Sequence, residues 1–331
     1  MGSSPSPSSA PSAEFLEVFR TRAGAAGSLT FAEFMELALY HPVLGYYRRA
    51  QARVGYGAGT DFFTASTSGP VFGELVVAAI ATLLNGRDPH DFSFVEIGAE
   101  PGGGVLAGVA HPFASARTVQ VGEVPGLTGQ CVVFSNELFD AQPFRRFVFR
   151  RNTWLELGVA PRESALVTVE LPTTAPAALP AAAPEGYVID APLAAAALAG
   201  QLAAQPWTGL FAAFDYGKSW AELTEACRAG TARAYHRHTQ SNDLLARPGE
   251  QDLTCHICWD WLAEALEGNG FAAPTVESQE AFFIHHAANY IATTTAAEAA
   301  RFSQKKLSLL QLLHPSHLGQ KFQVLHAWRD R

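Results

Sequence analysis

The sequence predicts an α/β fold, a sheet with helices on both faces. Short apolar strands lie at Phe92–Gly98, ending on glycine, at Cys131–Ser135, running straight into Asn136, and at Gly209–Asp215, ending on an acid. Segments with helical spacing of apolar residues fall before, between and after them, and that alternation is the pattern of a sheet covered by helices. At 331 residues and 48% hydrophobic composition, the chain can bury a large core and is too apolar for intrinsic disorder.

The first twelve residues are almost all Ser, Pro, Gly and Ala. With no basic start and no apolar block they are not a secretory signal, and a disordered tail is expected over 1–27. An N-terminal helical extension is expected over 28–90. Thr30 and Glu33 form a capping box there, Phe31, Phe34, Met35 and Ala38 recur on one face, and His41-Pro42 stops the helix. A glycine-rich loop (Gly55, Gly57, Gly59) leads to Asp61 and Thr64. A second helix follows from Gly69 to Leu84, with Pro70 in its first turn. The α/β domain is expected over 91–331. It contains strands at Phe92–Gly98, Thr118–Val121 and Cys131–Ser135, and an extended pair at Phe144–Phe149 and Trp154–Leu157. A helix over Pro192–Ala204 and the strand Gly209–Asp215 come next. An irregular insertion is expected at about 218–258, then helices at Trp259–Gly268 and Gln304–Leu313 and a last strand at Lys321–Leu325.

Acidic residues outnumber Lys and Arg by 31 to 23, for a net charge of -8. That balance argues against a protein that coats nucleic acid or lies on an anionic membrane. No apolar run reaches the roughly 18 residues of a spanning helix. Four cysteines in a chain of this length do not make a disulfide scaffold, which points to a reducing compartment, the cytoplasm. Cys255 and Cys258 form a CxxC, but no second pair completes a zinc set, and no metal is expected.

Three places can carry chemistry. Val95-Glu96-Ile97-Gly98-Ala99-Glu100-Pro101-Gly102 joins a buried strand to a glycine turn, the way α/β sheets build a nucleotide site. Glu96 near the strand end suits a cationic or amine group. The same stretch also reads as a dinucleotide fingerprint, since Gly102–Ala107 fits GxGxxA and Glu123 lies 21 positions after Gly102. Asn136-Glu137-Leu138-Phe139-Asp140 follows a strand directly. Its amide and two carboxylates can grip a guanidinium or ammonium group or accept a proton, or Asn136 and Asp140 can simply cap a helix. Asp215-Tyr216-Gly217 closes another strand, as a site or as a turn.

Read in order, these segments form a specific series. It runs through Phe34-Met35, Leu39-Tyr40, Pro42, Gly45-Tyr46-Tyr47, Asp61-Phe62-Phe63-Thr64, Val71-Phe72-Gly73-Glu74 and Val95-Glu96-Ile97-Gly98. It continues through Asn136–Ala141, Asp215-Tyr216-Gly217, Arg233-Ala234-Tyr235, Pro248-Gly249-Glu250, Asp252-Leu253-Thr254 with His256, Leu313-His314-Pro315 and Lys321–Leu325. The series resembles the MidA-like family of S-adenosyl-L-methionine-dependent methyltransferases, which includes a mitochondrial arginine methyltransferase that assists assembly of respiratory complex I. The resemblance implies a class I methyltransferase fold, S-adenosyl-L-methionine as cofactor, a protein substrate or partner, and the mitochondrial matrix as compartment in a eukaryotic source. It implies that Glu96, Gly98 and Gly102 line the cofactor turn, with Asp61 and Thr64 closing over it. It also implies that Asn136, Glu137 and Asp140 face the transferring methyl and the substrate nitrogen.

The chain departs from the family pattern at two points. Glu100 and Pro101 stand where the family has a glycine, and only 34 positions separate Gly102 from Asn136, room for one short strand. If that strand is the second of the sheet, Glu123 takes the place of the ribose-binding acid; if it is the third, that acid is missing. Three readings follow: a methyltransferase acting on a protein arginine or another nitrogen, a methyltransferase-like partner protein without turnover, and a dinucleotide-binding oxidoreductase.

Overall fold

The computed structural model describes residues 10–49, 53, 69–101, 103–172, 175–300 and 303–330. In chain order the elements are α1 (Ala13–Ala23), β1 (Leu29–Thr30), α2 (Phe31–Tyr40), α3 (Pro70–Leu83), β2 (Ser93–Ile97), β3 (Ser115–Val119) and β4 (Gly129–Asn136). They continue with β5 (Arg145–Arg150), β6 (Thr153–Arg162), β7 (Ala165–Leu171), β8 (Val188–Ala191), α4 (Leu193–Ala203), β9 (Trp207–Asp215) and β10 (Gly217–Lys218). Next come α5 (Trp220–Glu225), β11 (Arg233–His236), β12 (Thr239–Ser241), β13 (Asp252–Thr254), β14 (Ile257–Cys258) and α6 (Trp259–Glu267). The chain closes with β15 (Ala272–Ser278), α7 (Gln279–His286), α8 (Ala288–Ala297), α9 (Gln304–Leu313) and β16 (Gln323–Arg329). None of these helices is long and apolar enough to cross a membrane.

Two units alternate along the chain. The first takes residues 1–62, 140–196 and 218–258; the second takes 63–139, 197–217 and 259–331. The segment expected as an irregular insertion is thus one of three pieces of the first unit, and the stretch expected as one continuous α/β domain supplies both.

The second unit is built on a six-stranded sheet in the order β15-β16-β9-β4-β2-β3. β3, β2, β4 and β9 run parallel, while β16 and β15 complete the sheet antiparallel. The central strands are covered on both faces, so they read as continuous apolar runs: β9 is buried at every position but Thr208. β3 is the edge, and its first four residues, Ser115 to Thr118, are exposed and carry three polar side chains, which suits an edge strand that must avoid pairing with another chain. β3 pairs directly with β2, so it is the second strand of the sheet. One core joins Val71, Phe72, Leu75 and Ile80 of α3, Phe282 and Phe283 of α7, and Leu309 and Leu312 of α9 to Phe94, Phe134 and Phe214 of the strands.

The first unit carries an antiparallel sheet in the order β1-β6-β5-β8, with β7 on β6, and a three-stranded sheet β12-β11-β13. The extended pair read at Phe144–Leu157 belongs to this sheet. The capping box of α2 forms as expected, Thr30 accepting from the Glu33 amide while the Glu33 carboxylate accepts from Thr30 N–H. The disordered tail expected through residue 27 is corrected: α1 starts at Ala13, capped by Ser12, and buries Phe15, Leu16 and Phe19. Those three share one helical face, which the Ser/Pro-rich leader obscures in composition. Asp190 is fully buried here, paired with Arg146 at 2.7 Å and accepting from the amides of Thr231 and Ala232 at 2.6 and 2.7 Å.

Phe214 sits at the middle of the second unit's core, its ring 5.6 Å from Phe72, 5.5 Å from Phe134 and 5.3 Å from Phe282. Phe214→Ala removes the hub of that cluster and is expected to lower stability by about 3–5 kcal/mol in urea unfolding.

Candidate functional site

The chain leaves β2 for β3 on one side and returns to β4 on the other side of β2. Such a reversal opens a crevice at the carboxyl ends of the two strands, where open α/β sheets bind their ligands. Register sets Ile97 beside Ser135 and Asn136 beside Phe214, so the ends of β2, β4 and β9 form one rim. Of the residues singled out from sequence, Glu96, Gly98, Asn136 and Glu137 meet there. Asp61, Thr64 and Gly102 lie outside the described residues. Asp140 belongs to the first unit, and Glu123 lies in the loop after β3.

Gly98 turns the chain out of β2 with φ +84°, and a Cβ at that point would stand 2.7 Å from Leu138 Cδ1. Glycine is required twice over, by conformation and by contact with the β4 turn. Glu96 is buried, and its Oε2 accepts from Val105 N–H at 2.7 Å. The same oxygen would be 3.1 Å from a Cβ on Gly104. Glu96 therefore fastens the returning end of the glycine turn. A cleft of about 240 Å³, lined by Gly69, Pro70, Phe72, Gly73, Gly104, Val105 and Ala107, lies between this segment and the first turn of α3.

At the end of β4 the backbone is strained. Glu137 adopts φ +52°, which non-glycine residues seldom do. Its amide donates to Phe214 O at 2.9 Å, and its carboxylate accepts from Asn136 Nδ2 at 3.1 Å. Asp215, fully buried, accepts from Phe139 N–H at 2.9 Å and from its own neighbour Tyr216 N–H at 2.8 Å. That carboxylate holds the turn in place, a role the sequence could not separate from an ordinary turn. Among the described residues, buried Ser135 Oγ and Asn136 Oδ1 have no hydrogen-bond partner. Orphaned polar atoms at a switch-point rim fit a polar nucleoside ligand.

Residues 103–112 form turns and no helix. A dinucleotide fingerprint needs a helix N-terminus for the pyrophosphate, so the GxGxxA reading of Gly102–Ala107 is not met. Glu123 Oε2 is engaged within its own loop, accepting from Gln120 N–H at 2.7 Å.

In the first unit Asp140 is buried, and its carbonyl accepts from Cys255 N–H. Tyr40 donates to Ala141 O at 2.9 Å and stacks on Tyr47 at 5.5 Å, while Tyr47 donates to Asp252 Oδ1 at 2.9 Å. Burial, then the carboxylates of Asp252 and Asp140, push the Tyr40 hydroxyl well up. Both tyrosines are thus neutral donors at any physiological pH. His256, in the same unit, is held neutral, its pKa lowered to about 4 by burial and then by Lys218 and Arg233.

Burial raises the Glu96 carboxyl from 4.5 to about 7, against the opposing hydrogen bond from Val105. Between those values the folded chain keeps a proton that the unfolded chain has released, so stability falls as pH rises through the window. Glu96→Gln keeps an acceptor for Val105 and removes the titration. Relative to wild type its stability is expected to gain on the order of 3 kcal/mol from pH 4 to pH 8, measured by urea unfolding across pH.

Residues 114–276 match a family model described as "Putative S-adenosyl-L-methionine-dependent methyltransferase". The chain is 23% identical to the Mus musculus protein named protein arginine methyltransferase NDUFAF7, mitochondrial, over 89% of this chain and 80% of that one. It is 25% identical to the Danio rerio protein of the same name, over 72% of this chain and 68% of that one. Its fold is similar to the crystal structure of a COG1565 superfamily member from Burkholderia thailandensis bound to S-adenosyl-homocysteine. That similarity has a TM-score of 0.83 at 25% identity, over 95% of this chain and 91% of that one. With the switch-point rim and the ordered motifs from Phe34 to Leu325, these likenesses point one way: in sequence and fold the chain is similar to the MidA-like family of S-adenosyl-L-methionine-dependent methyltransferases.

Proposed function

We propose that this chain transfers the methyl group of S-adenosyl-L-methionine to a side-chain nitrogen of an arginine in a protein substrate. The observation that carries the reading is the end of β4, where a strained Glu137 and the unpartnered Asn136 Oδ1 meet at the switch-point rim. When bound, the cofactor supplies an electrophilic methyl on a sulfonium. The protein's contribution is positioning and charge. Gly98 and Gly102 let the backbone approach the cofactor, with Asp61, Thr64 and Glu123 as further contacts. Glu96 acts through the turn it fastens to Val105. Asn136 and Glu137 orient the incoming nitrogen. Guanidinium is protonated at neutral pH, so a carboxylate beside it both selects the cation and accepts the proton that nitrogen sheds as it takes the methyl. Glu137 and Asp140 are assigned that role. The curated relatives' names support the protein-arginine substrate. We also propose the mitochondrial matrix as the compartment if the source is eukaryotic and the cytoplasm otherwise; the word mitochondrial in the relatives' names supports a mitochondrial location.

The test is calorimetric titration of the full chain with S-adenosylmethionine and S-adenosylhomocysteine, NAD serving as control. Micromolar affinity for the cofactor and its demethylated product, about -8 kcal/mol, is expected, and NAD should give no heat of binding. Gly98→Val, forced against Leu138, should abolish it. Mass spectrometry of arginine-bearing proteins incubated with enzyme and cofactor should then show methylation that Glu137→Gln lowers by about a hundredfold or more. A folded wild type that ignores both S-adenosylmethionine and S-adenosylhomocysteine, or a Gly98→Val variant with full methyl transfer, defeats the proposal.

A further inference from the structure

We propose that the second unit holds a divalent transition-metal site, suited to zinc, formed by Glu277, His286 and His326. The three come from β15, the last turn of α7 and β16. In the antiparallel pairing of β15 with β16, Thr275 stands opposite His326, so Glu277 is His326's diagonal neighbour on the same face. α7 starts directly after β15 and brings His286 back over that face. Nε2 of His286 and Nε2 of His326 lie 3.0 and 3.2 Å from the same oxygen, Glu277 Oε2. One ligand atom from each residue falls within 4.8 Å of the other two.

These spacings are those of a ligand set. With bonds of about 2.1 Å from zinc to nitrogen and oxygen, neighbouring donors sit about 3.0 Å apart at a right angle and about 3.4 Å apart at the tetrahedral angle. Two imidazoles and one carboxylate are a donor set that zinc accepts while keeping a position for water. The rings are also held ready. Phe282, fully buried, packs on His286 at 5.1 Å and on His326 at 5.6 Å, and the two imidazoles cross at 5.4 Å and 78°. The second carboxylate oxygen, Glu277 Oε1, is engaged by His285 Nδ1 at 2.5 Å. That contact orients the carboxylate from outside the set, as partners of metal ligands commonly do. The set is partly buried but reachable, with side-chain exposures of 14%, 20% and 13% for Glu277, His286 and His326. The sequence hides it because its members are spread over 50 positions with no ligand spacing.

The experiment is titration of the tag-free full chain, stripped with a chelator, with Co²⁺ as spectroscopic probe and Zn²⁺ as competitor. One equivalent of Co²⁺ should give visible ligand-field bands that Zn²⁺ displaces, and Zn²⁺ should raise the melting temperature. His326→Gln and His286→Asn, checked for fold by circular dichroism, should each weaken binding at least tenfold, while His317→Gln should not. Should those variants fail to fold, X-ray absorption of the zinc-loaded wild type decides: a shell of nitrogen and oxygen with two imidazoles supports the site. A sulfur shell, which would point to Cys255 and Cys258, overturns it, as do absent binding and binding indifferent to the folded variants.

Discussion

The geometry of the candidate site hangs on the buried carboxylate of Asp215. It terminates β9 with no exposure and spends both oxygens on backbone amides, Phe139 and Tyr216. A buried charge of that kind is tolerated only when its lone pairs are met. Meeting them fixes the chain between β4 and Phe139. With that turn fixed, Glu137 is kept in a left-handed conformation, Leu138 comes to lie against Gly98, and the ends of three strands become one rim. The strain at Glu137 is the local cost of a turn that the neighbouring strand over-determines.

The glycine turn after β2 is organised differently from a nucleotide turn that runs into a helix. Residues 103–112 contain turns only, so no helix dipole faces the crevice from that segment. Glu96 ties Val105 to the strand in its place. The short connection also removes one strand from the edge of the sheet, leaving β3 as its polar margin. A sulfonium cofactor carries no pyrophosphate, so loss of a helix N-terminus costs it far less than it would a dinucleotide.

The two departures from family pattern therefore have different standing. The shortened segment is absorbed by the sheet: β3 lies directly beside β2, which puts Glu123 in the loop that follows the second strand. Glu100 next to Pro101 alters the turn itself, two residues after the Gly98 that packs against Leu138.

Much of the α/β sheet was legible in the linear chain, because β2, β4 and β9 are largely buried and read as mostly apolar runs, and because Thr30 with Glu33 and Pro70 mark helix starts by local chemistry. Asn136 and Glu137 were legible as site candidates since polar residues directly after such a strand have nowhere to go but its open end. α1 was not, because a Ser/Pro-rich leader masks three apolar residues that matter only once they share a helical face. Nor was the division into two interleaved units, since burial partners distant in sequence leave no local periodicity. The role of Asp215 and the meeting of Glu277 with His286 and His326 were decided by tertiary structure alone: strand pairing and the return of a helix set donor and acceptor atoms within 3 Å or so, and no spacing along the chain encodes that distance.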